Sequence, residues 1–161
     1  MTTTTIAQPG LEWNNEISWY DPDPHWTIEP DVTIIGQVVQ RELSLPEDAQ
    51  YEIELYVEGS PNKVYTVKCN TKDGINKTFI MRVCLPTHPR FKTLSESATI
   101  DFVRENTNIL LPKVIKYDWS FENELGFEWI IQDLVPGKTL EETWHQTSWL
   151  HKELLVRKVI T

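Results

Sequence analysis

Three runs of alternating apolar and polar residues, joined by turn-forming segments, constrain the fold of this chain most strongly. In the first run Ile53, Leu55 and Val57 alternate with glutamates, which is the pattern of a strand with one solvent-exposed face. A second run covers residues 64–69 and a third covers 78–83, and each follows a segment rich in glycine, asparagine or proline. The pattern predicts three consecutive antiparallel strands.

The rest of the chain adds helices and two more strands to this sheet. Asp31 can cap a helix that runs to about Leu43, because apolar residues recur at helical spacing after it. The predicted fold class is α+β, a five-stranded antiparallel sheet with one inserted helix, preceded by an N-terminal arm and helix. The further elements are predicted, in chain order, as a helix over 94–105, strands over 110–117 and 127–131, and helices over 140–145 and 148–159.

Composition divides the chain into three parts. Residues 1–30 contain four prolines with tryptophans between them, so they predict an irregular acidic and aromatic arm that packs on the rest of the fold. Residues 31–137 hold the leading helix and the sheet. Residues 138–161 are predicted to be helical.

Length, charge and hydropathy limit the classes of partner. At 161 residues, 40% of them hydrophobic, the chain is long enough to bury a core. The net charge is −9, and residues 1–60 contain twelve acidic residues and one basic residue. A basic stripe is missing, so nucleic acid is not an expected partner. Apolar runs are short, so a membrane is not an expected partner either.

Cysteines and histidines indicate neither a disulfide framework nor a metal site. Cys69 and Cys84 lie on different predicted strands, and the sequence lacks a secretory signal pattern. We therefore expect two reduced thiols and a cytoplasmic location. The four histidines show no ligand spacing, so no metal ligand or catalytic histidine is predicted.

Arg82 is the residue whose position most suggests a binding role. It lies in an otherwise apolar strand, where a cation needs a carboxylate or a phosphate to offset its desolvation. Glu96, early in the following helix, is the natural partner, and Arg90, Lys92 and Glu105 are alternatives. An exposed position on an edge strand explains Arg82 equally well.

Two segments near the strand ends are further candidates. Asn62 follows a glycine-containing bend whose backbone N–H groups can face a polyphosphate, although these residues are also those of an ordinary hairpin turn. Asp133 ends an apolar strand just before Pro136, and its backbone can offer a donor and an acceptor to an adenine edge. A simple strand end is the alternative.

Taken in order, six runs of this chain resemble the aminoglycoside-phosphotransferase-like (choline-kinase-like) family, especially its fungal group. These runs are 58–67, 79–83, 95–104, 111–115, 126–130 and 135–140. The resemblance implies a protein-kinase-like N-lobe with ATP as the cofactor. The roles it implies are phosphate contact for Ser60, Asn62 and Lys63, α/β-phosphate contact for Arg82, anchoring of Arg82 by Glu96, and adenine contact for Gln132, Asp133 and Val135.

The sequence departs from that family in two places. Pro61 removes one N–H from the nucleotide loop and stiffens it. The family's His-Gly-Asp motif and later metal-binding aspartate are missing, so no catalytic or metal-binding residue is assigned here, and magnesium would be bound only through a second lobe. The resemblance then implies the nucleotide-binding lobe of a truncated phosphotransferase, with 138–161 beginning the missing C-lobe and the chain alone inactive.

Two other interpretations remain open from the sequence. The first is a non-catalytic interaction module derived from such a lobe. Its C-terminal apolar helix, with Trp149, Leu150 and Leu154, would then contact a protein partner or a second copy. The second is a small β-rich domain unrelated to kinases.

Overall fold

A computed structural model describes residues 9–14, 23–70 and 76–160, and this part of the chain contains two sheets and four helices. The smaller sheet pairs β1 with β2, and the larger one has the antiparallel order β3-β4-β5-β7-β6. The strands are β1 (Leu11–Asn14), β2 (Asp23–Trp26), β3 (Gln50–Gly59), β4 (Asn62–Asn70), β5 (Asn76–Cys84), β6 (Val114–Asp118) and β7 (Glu128–Asp133). The helices are α1 (Val32–Glu42), α2 (Phe91–Asn106), α3 (Leu140–Trp144) and α4 (Trp149–Ile160).

This architecture confirms the predicted α+β class and the five-stranded antiparallel sheet, with α2 inserted between the third and fourth strands of that sheet in chain order. Sheets of this kind occur in many folds, so the architecture does not establish the kinase-like N-lobe label.

The N-terminal segment contains regular structure where an irregular arm is predicted. β1 and β2 pair in an antiparallel register that places Trp13 opposite Pro24. A two-stranded sheet has only edge strands, and an edge strand accepts proline because it can leave one backbone position unpaired. Residues 1–8 and 15–22 of the predicted arm lie outside the described residues, and so do residues 71–75 of the turn-forming segment before the third strand.

Helix α1 begins at the predicted cap. The Asp31 carboxylate accepts hydrogen bonds from the backbone N–H of Thr33 at 2.7 Å and of Ile34 at 3.4 Å, and the first of these lowers the pKa of Asp31. The helix buries Ile35, Val38 and Val39 against the sheet.

The main core lies between α1 and one face of the large sheet. The strand register places Tyr65, Met81 and Ile131 side by side across β4, β5 and β7, and all three are buried. The small sheet extends this core, because the Trp26 ring packs on Phe127 with 5.1 Å between ring centroids. Burial at this face supplies most of the hydrophobic stabilisation of the fold.

The opposite face of the sheet meets α2 and is more polar. Arg82 and Ile80 point to this face, since they alternate with Met81 on β5. The helix residues buried against this face are Thr93 and Ser97. The two faces of the sheet therefore differ in chemistry, and the predicted site residues divide between them.

Both cysteines are free and buried in the structure, and burial raises the pKa of each thiol. Among the described residues, no helix is both long enough and apolar enough to cross a bilayer.

Candidate functional site

Strand parity places the predicted strand residues on two faces of the large sheet, with Gln132 on the same face as Arg82. Neighbouring residues on a strand point to opposite faces, so Asn62 points to the α2 face and Lys63 to the core face. Gln132 to Val135 lie at the end of β7 and beyond it. These residues lie in three regions. The α2 face holds Arg82, Glu96 and Asn62. The hairpin side is the part of the β3–β4 hairpin, with Ser60 and Lys63, that contacts the N-terminal segment, and the β7 groove is the cavity at the end of β7.

On the α2 face, Arg82 and Glu96 form the ion pair that the sequence predicts, through Nη1 and Oε1. The Arg82 side chain is 16% exposed and that of Glu96 is 31% exposed. Lys92 lies beside them and donates from Nζ to Asn62 Oδ1 at 2.9 Å. Burial lowers the pKa of Lys92. Two cations are thus held close together under the β3–β4 turn.

Several buried polar atoms on this face have no hydrogen-bond partner within the described residues. They are Nε and Nη2 of Arg82, Oγ1 of Thr93, Oγ of Ser97 and Oε2 of Glu128. The other carboxylate oxygen of Glu128 accepts a hydrogen bond from the backbone N–H of Arg90 at 2.6 Å. A polar layer, not an apolar one, therefore joins α2 to the sheet.

On the hairpin side, Ser60 and Lys63 contact the N-terminal segment. The Ser60 hydroxyl donates to Asp23 Oδ1 at 2.6 Å. Lys63 is 2% exposed and pairs with Glu29 and with Glu58, the latter at 3.2 Å between Nζ and Oε1. Burial by itself lowers the pKa of Lys63, but hydrogen bonds to these two carboxylates outweigh it, so the pKa is raised. The carboxylates of Glu29 and Glu58 therefore neutralise the Lys63 ammonium group within the fold.

At the β7 groove, Gln132, Asp133 and Val135 line a largely apolar cavity of about 380 Å³. Its other walls are formed by Tyr56, Val64, Ile80 and Pro112. Leu134 and Val135, just past β7, remain 41% and 38% exposed. The groove is open and largely apolar.

The predicted site residues are therefore not brought to one place. Arg82, Glu96, Asn62 and Gln132 lie on the α2 face, whereas Lys63 points to the core face and, like Ser60, contacts the N-terminal segment. Their ligand contacts stay predictions, and so does ATP as the cofactor, for which a calorimetric titration of MgATP is the direct measurement. Among the described residues, no group of three or more histidine, cysteine or acidic side chains is placed to hold a metal ion.

Sequence reasoning missed the residues that partner these groups. Glu128 lies in an apolar run, and its burial at 1% exposure depends on α2 covering it. Glu29 lies in the segment predicted to be irregular, 34 residues before Lys63. Neither position carries a local signal, because both contacts are set by tertiary packing.

Comparison with known proteins identifies relatives for part of the chain, and no family model matches it. A subtelomeric hrmA-associated cluster protein of Aspergillus fumigatus is 29% identical over 100 residues, which are 62% of this chain and 19% of that protein. The protein named altered inheritance of mitochondria protein 9, mitochondrial, is 28% identical over 91 residues in Candida tropicalis and 31% identical over 93 residues in Candida glabrata. These matches cover 56% and 55% of this chain, and 15% and 14% of the relatives.

These findings correct the family and function predicted from the sequence. The names of the relatives refer to mitochondrial inheritance and a subtelomeric cluster, not to a phosphotransferase, and no model of a kinase-like family matches. The predictions of an aminoglycoside-phosphotransferase-like member, of its nucleotide-binding lobe and of a module derived from that lobe are therefore wrong. The six runs behind the resemblance consist largely of turn residues and apolar strand residues, which many unrelated folds share.

The predicted cytoplasmic location is wrong as well. Relatives in several yeasts are named as mitochondrial proteins. The prediction relied on two free thiols and on a missing secretory signal. Those features argue only against the secretory route, because disulfides persist chiefly in oxidising compartments.

Proposed function

We propose that this chain is a protein-interaction domain of a mitochondrial protein and that α4 is its docking element. The observation that carries the proposal is that α4 exposes large apolar side chains on all its sides. The described part of the chain leaves Trp149, Leu150, Leu154, Leu155 and Val156 between 38 and 81% exposed, interleaved with charged residues. The docking element is proposed to be completed by another protein surface that covers these side chains.

The exposed side chains of α4 cannot be covered by a single flat surface. Trp149 and Val156 are seven residues apart and share one side of the helix, at 81% and 50% exposure. Leu150 and Leu154 share another side, at 62% and 53%, and Leu155 lies on a third at 38%. Complete burial of a fully exposed side chain of this size contributes about 1.5 to 3 kcal/mol, and these partly exposed side chains would gain a corresponding fraction of it.

The distribution of apolar residues favours a protein over a membrane surface. A helix that lies in a bilayer interface has one apolar face and one strongly polar face. In α4 the charged residues Lys152, Glu153 and Arg157 are interleaved with apolar ones. A folded protein layer can contact several sides of a helix, and a membrane surface contacts one.

Helix α3 holds the docking element in a defined orientation. Thr139 and Glu142 form a reciprocal capping box at the start of α3. Trp144, at the end of α3, lies under Lys152 Nζ, which is 4.7 Å from the ring centroid. Trp144, Trp149 and Val156 then line an apolar cavity of about 410 Å³ that fits an apolar side chain of a partner.

The comparisons support the mitochondrial part of the proposal. Relatives that match more than half of this chain are named mitochondrial proteins, and those matches span 14 to 15% of the relatives' lengths. A domain within a longer protein commonly packs on other folded parts.

A photo-crosslinking residue at position 154 tests the docking element in intact fungal mitochondria. Leu154 is 53% exposed, and we expect a crosslinker there to give discrete protein adducts, because the proposal places this position inside an interface. The matched position is Glu122, also exposed but far from α4 in the chain. Adducts should be several times fewer at 122. Equal adduct yields at both positions would contradict the proposal.

A further inference from the structure

Helix α2 carries its apolar residues on the side that faces away from the sheet. Phe91 is 80% exposed, Phe102 is 65% exposed and Leu94 is 38% exposed. With Ala98, they recur at spacings of three and four residues, which is the pattern of a single helical stripe. We call these four residues the α2 stripe.

The orientation of α2 follows from the polar layer beneath it. Thr93, Glu96 and Ser97 point to the sheet, and Glu96 is fixed there by Arg82. Rotating α2 to bury the stripe would separate the ion pair and leave the Arg82 cation without its carboxylate. The stripe thus remains available for a contact outside this domain.

The charges beside the α2 stripe are acidic. Asp101 and Glu105 are exposed near the C-terminal end of the α2 stripe. Asp101 is seven residues after Leu94 and Glu105 is seven after Ala98, so both lie on nearly the same side of the helix as the stripe. Helix α4 has the complementary arrangement. Leu150 and Leu154 share one side with Lys158, which is exposed at the C-terminal end of that helix.

The positions of α3 and α4 favour a contact between copies. Within the described residues, neither helix packs extensively on the large sheet or on α1 and α2. An element that projects from its own domain can dock on another surface of a second copy. When the second copy makes the same contact in return, the two contacts close a two-fold dimer.

We infer that α4 of one copy packs on the α2 stripe of a second copy, in a reciprocal dimer. Leu150 and Leu154 cover Phe91, Leu94 and Phe102, and Lys158 pairs with Asp101 and Glu105. In both helices the charged residues lie C-terminal to the apolar ones. The apolar residues and the charged residues can therefore meet at the same time only if the two helices run parallel. This inference rests on the proposed function, because it names the surface that covers one side of α4, the side of Leu150 and Leu154.

Sedimentation equilibrium of the full chain and of charge-reversed variants tests the inference. We expect a concentration-dependent dimer. Lys158→Glu should weaken it about tenfold, because it places like charges at the contact. The double change Asp101→Lys with Glu105→Lys should weaken it similarly, and the triple combination should restore most of the affinity. The control Glu47→Lys, an exposed charge on neither helix, should leave the dimer unchanged.

The outcomes separate the dimer from the docking function. A chain that stays monomeric at all concentrations overturns the inference, as does a loss in Lys158→Glu that the α2 changes do not restore. If adducts at position 154 still exceed those at 122, the proposed function stands with a different partner. Far-ultraviolet circular dichroism of each variant shows that the fold is retained, since all the altered side chains are exposed.

Discussion

Replacing Glu96 by alanine should lower the free energy of unfolding by about 2 to 3 kcal/mol. The change leaves the Arg82 cation without its carboxylate at a position that is 16% exposed, and two of its guanidinium nitrogens already lack partners within the described residues. Removing one partner of a buried ion pair costs about 3 to 5 kcal/mol, and the partial exposure of Glu96 lowers the expected effect below most of that range. Urea denaturation followed by tryptophan fluorescence measures it.

Two further variants show that the loss comes from the unpaired cation. The double change Arg82→Met with Glu96→Leu removes both charges and should keep most of the stability of the original chain, because an apolar pair of similar volume replaces an ion pair with little loss. Glu105→Ala, on the exposed side of the same helix, should change the free energy by less than about 0.5 kcal/mol in dilute solution. Equal losses for Glu96→Ala and Glu105→Ala would show that the pair contributes nothing.

Replacing Gly10 by alanine should cost about 3 kcal/mol and loosen the small sheet from the core. Gly10 has a φ of +78°, and a Cβ there would lie 2.5 Å from the ring of Phe127. That ring is 2% exposed and packs on Trp26, so it has little room to move. The left-handed backbone contributes about 1 kcal/mol of the loss and the overpacking contributes the rest.

Gly126 provides a matched control for this prediction. Its φ of +77° is nearly the same as that of Gly10, but an added Cβ would meet nothing within 4 Å. Gly126→Ala should therefore cost only about 1 kcal/mol, the backbone part. The same loss at both positions in thermal or urea denaturation would mean that the contact between Gly10 and Phe127 does not constrain the fold.

Much of the fold follows from local patterns. Asp31 precedes an apolar helical repeat, and the helix begins there because the carboxylate satisfies N–H groups that the first turn leaves free. The alternation around Val67 likewise yields a strand with one buried face, whereas on β3 Ile53 is partly buried and Leu55 and Val57 are exposed beside a register shift. The position of β7 between β5 and β6 has no local signal, because it depends on which strand edges meet after α2 packs.

The candidate site was predictable only where a charged residue in an apolar strand requires an oppositely charged partner. Arg82 in an apolar strand requires an anion, and Glu96 lies within reach on the next helix. The direction of Lys63 was not predictable in the same way. A shift of one residue in strand register reverses the face of every side chain, and the register depends on the turn between β3 and β4.

The outward apolar side of α2 shows a further limit of sequence patterns. An apolar stripe on a helix usually marks its buried face, and here Phe91 and Phe102 lie outside while Thr93 and Ser97 are buried. The ion pair of Arg82 with Glu96 sets this orientation. A polar contact between the helix and the sheet thus overrides the helical pattern, and the apolar side remains exposed.

The central claim, that a protein layer covers α4 in mitochondria, is tested most directly by the reactivity of a thiol introduced as Leu154→Cys. The two native cysteines are buried, so the introduced thiol should dominate the reaction with a maleimide. A second variant, Glu122→Cys, supplies an exposed reference. We predict that position 154 reacts as fast as position 122 in the dilute purified chain and about tenfold more slowly than it in isolated mitochondria. Equal rates at the two positions in mitochondria would contradict the account.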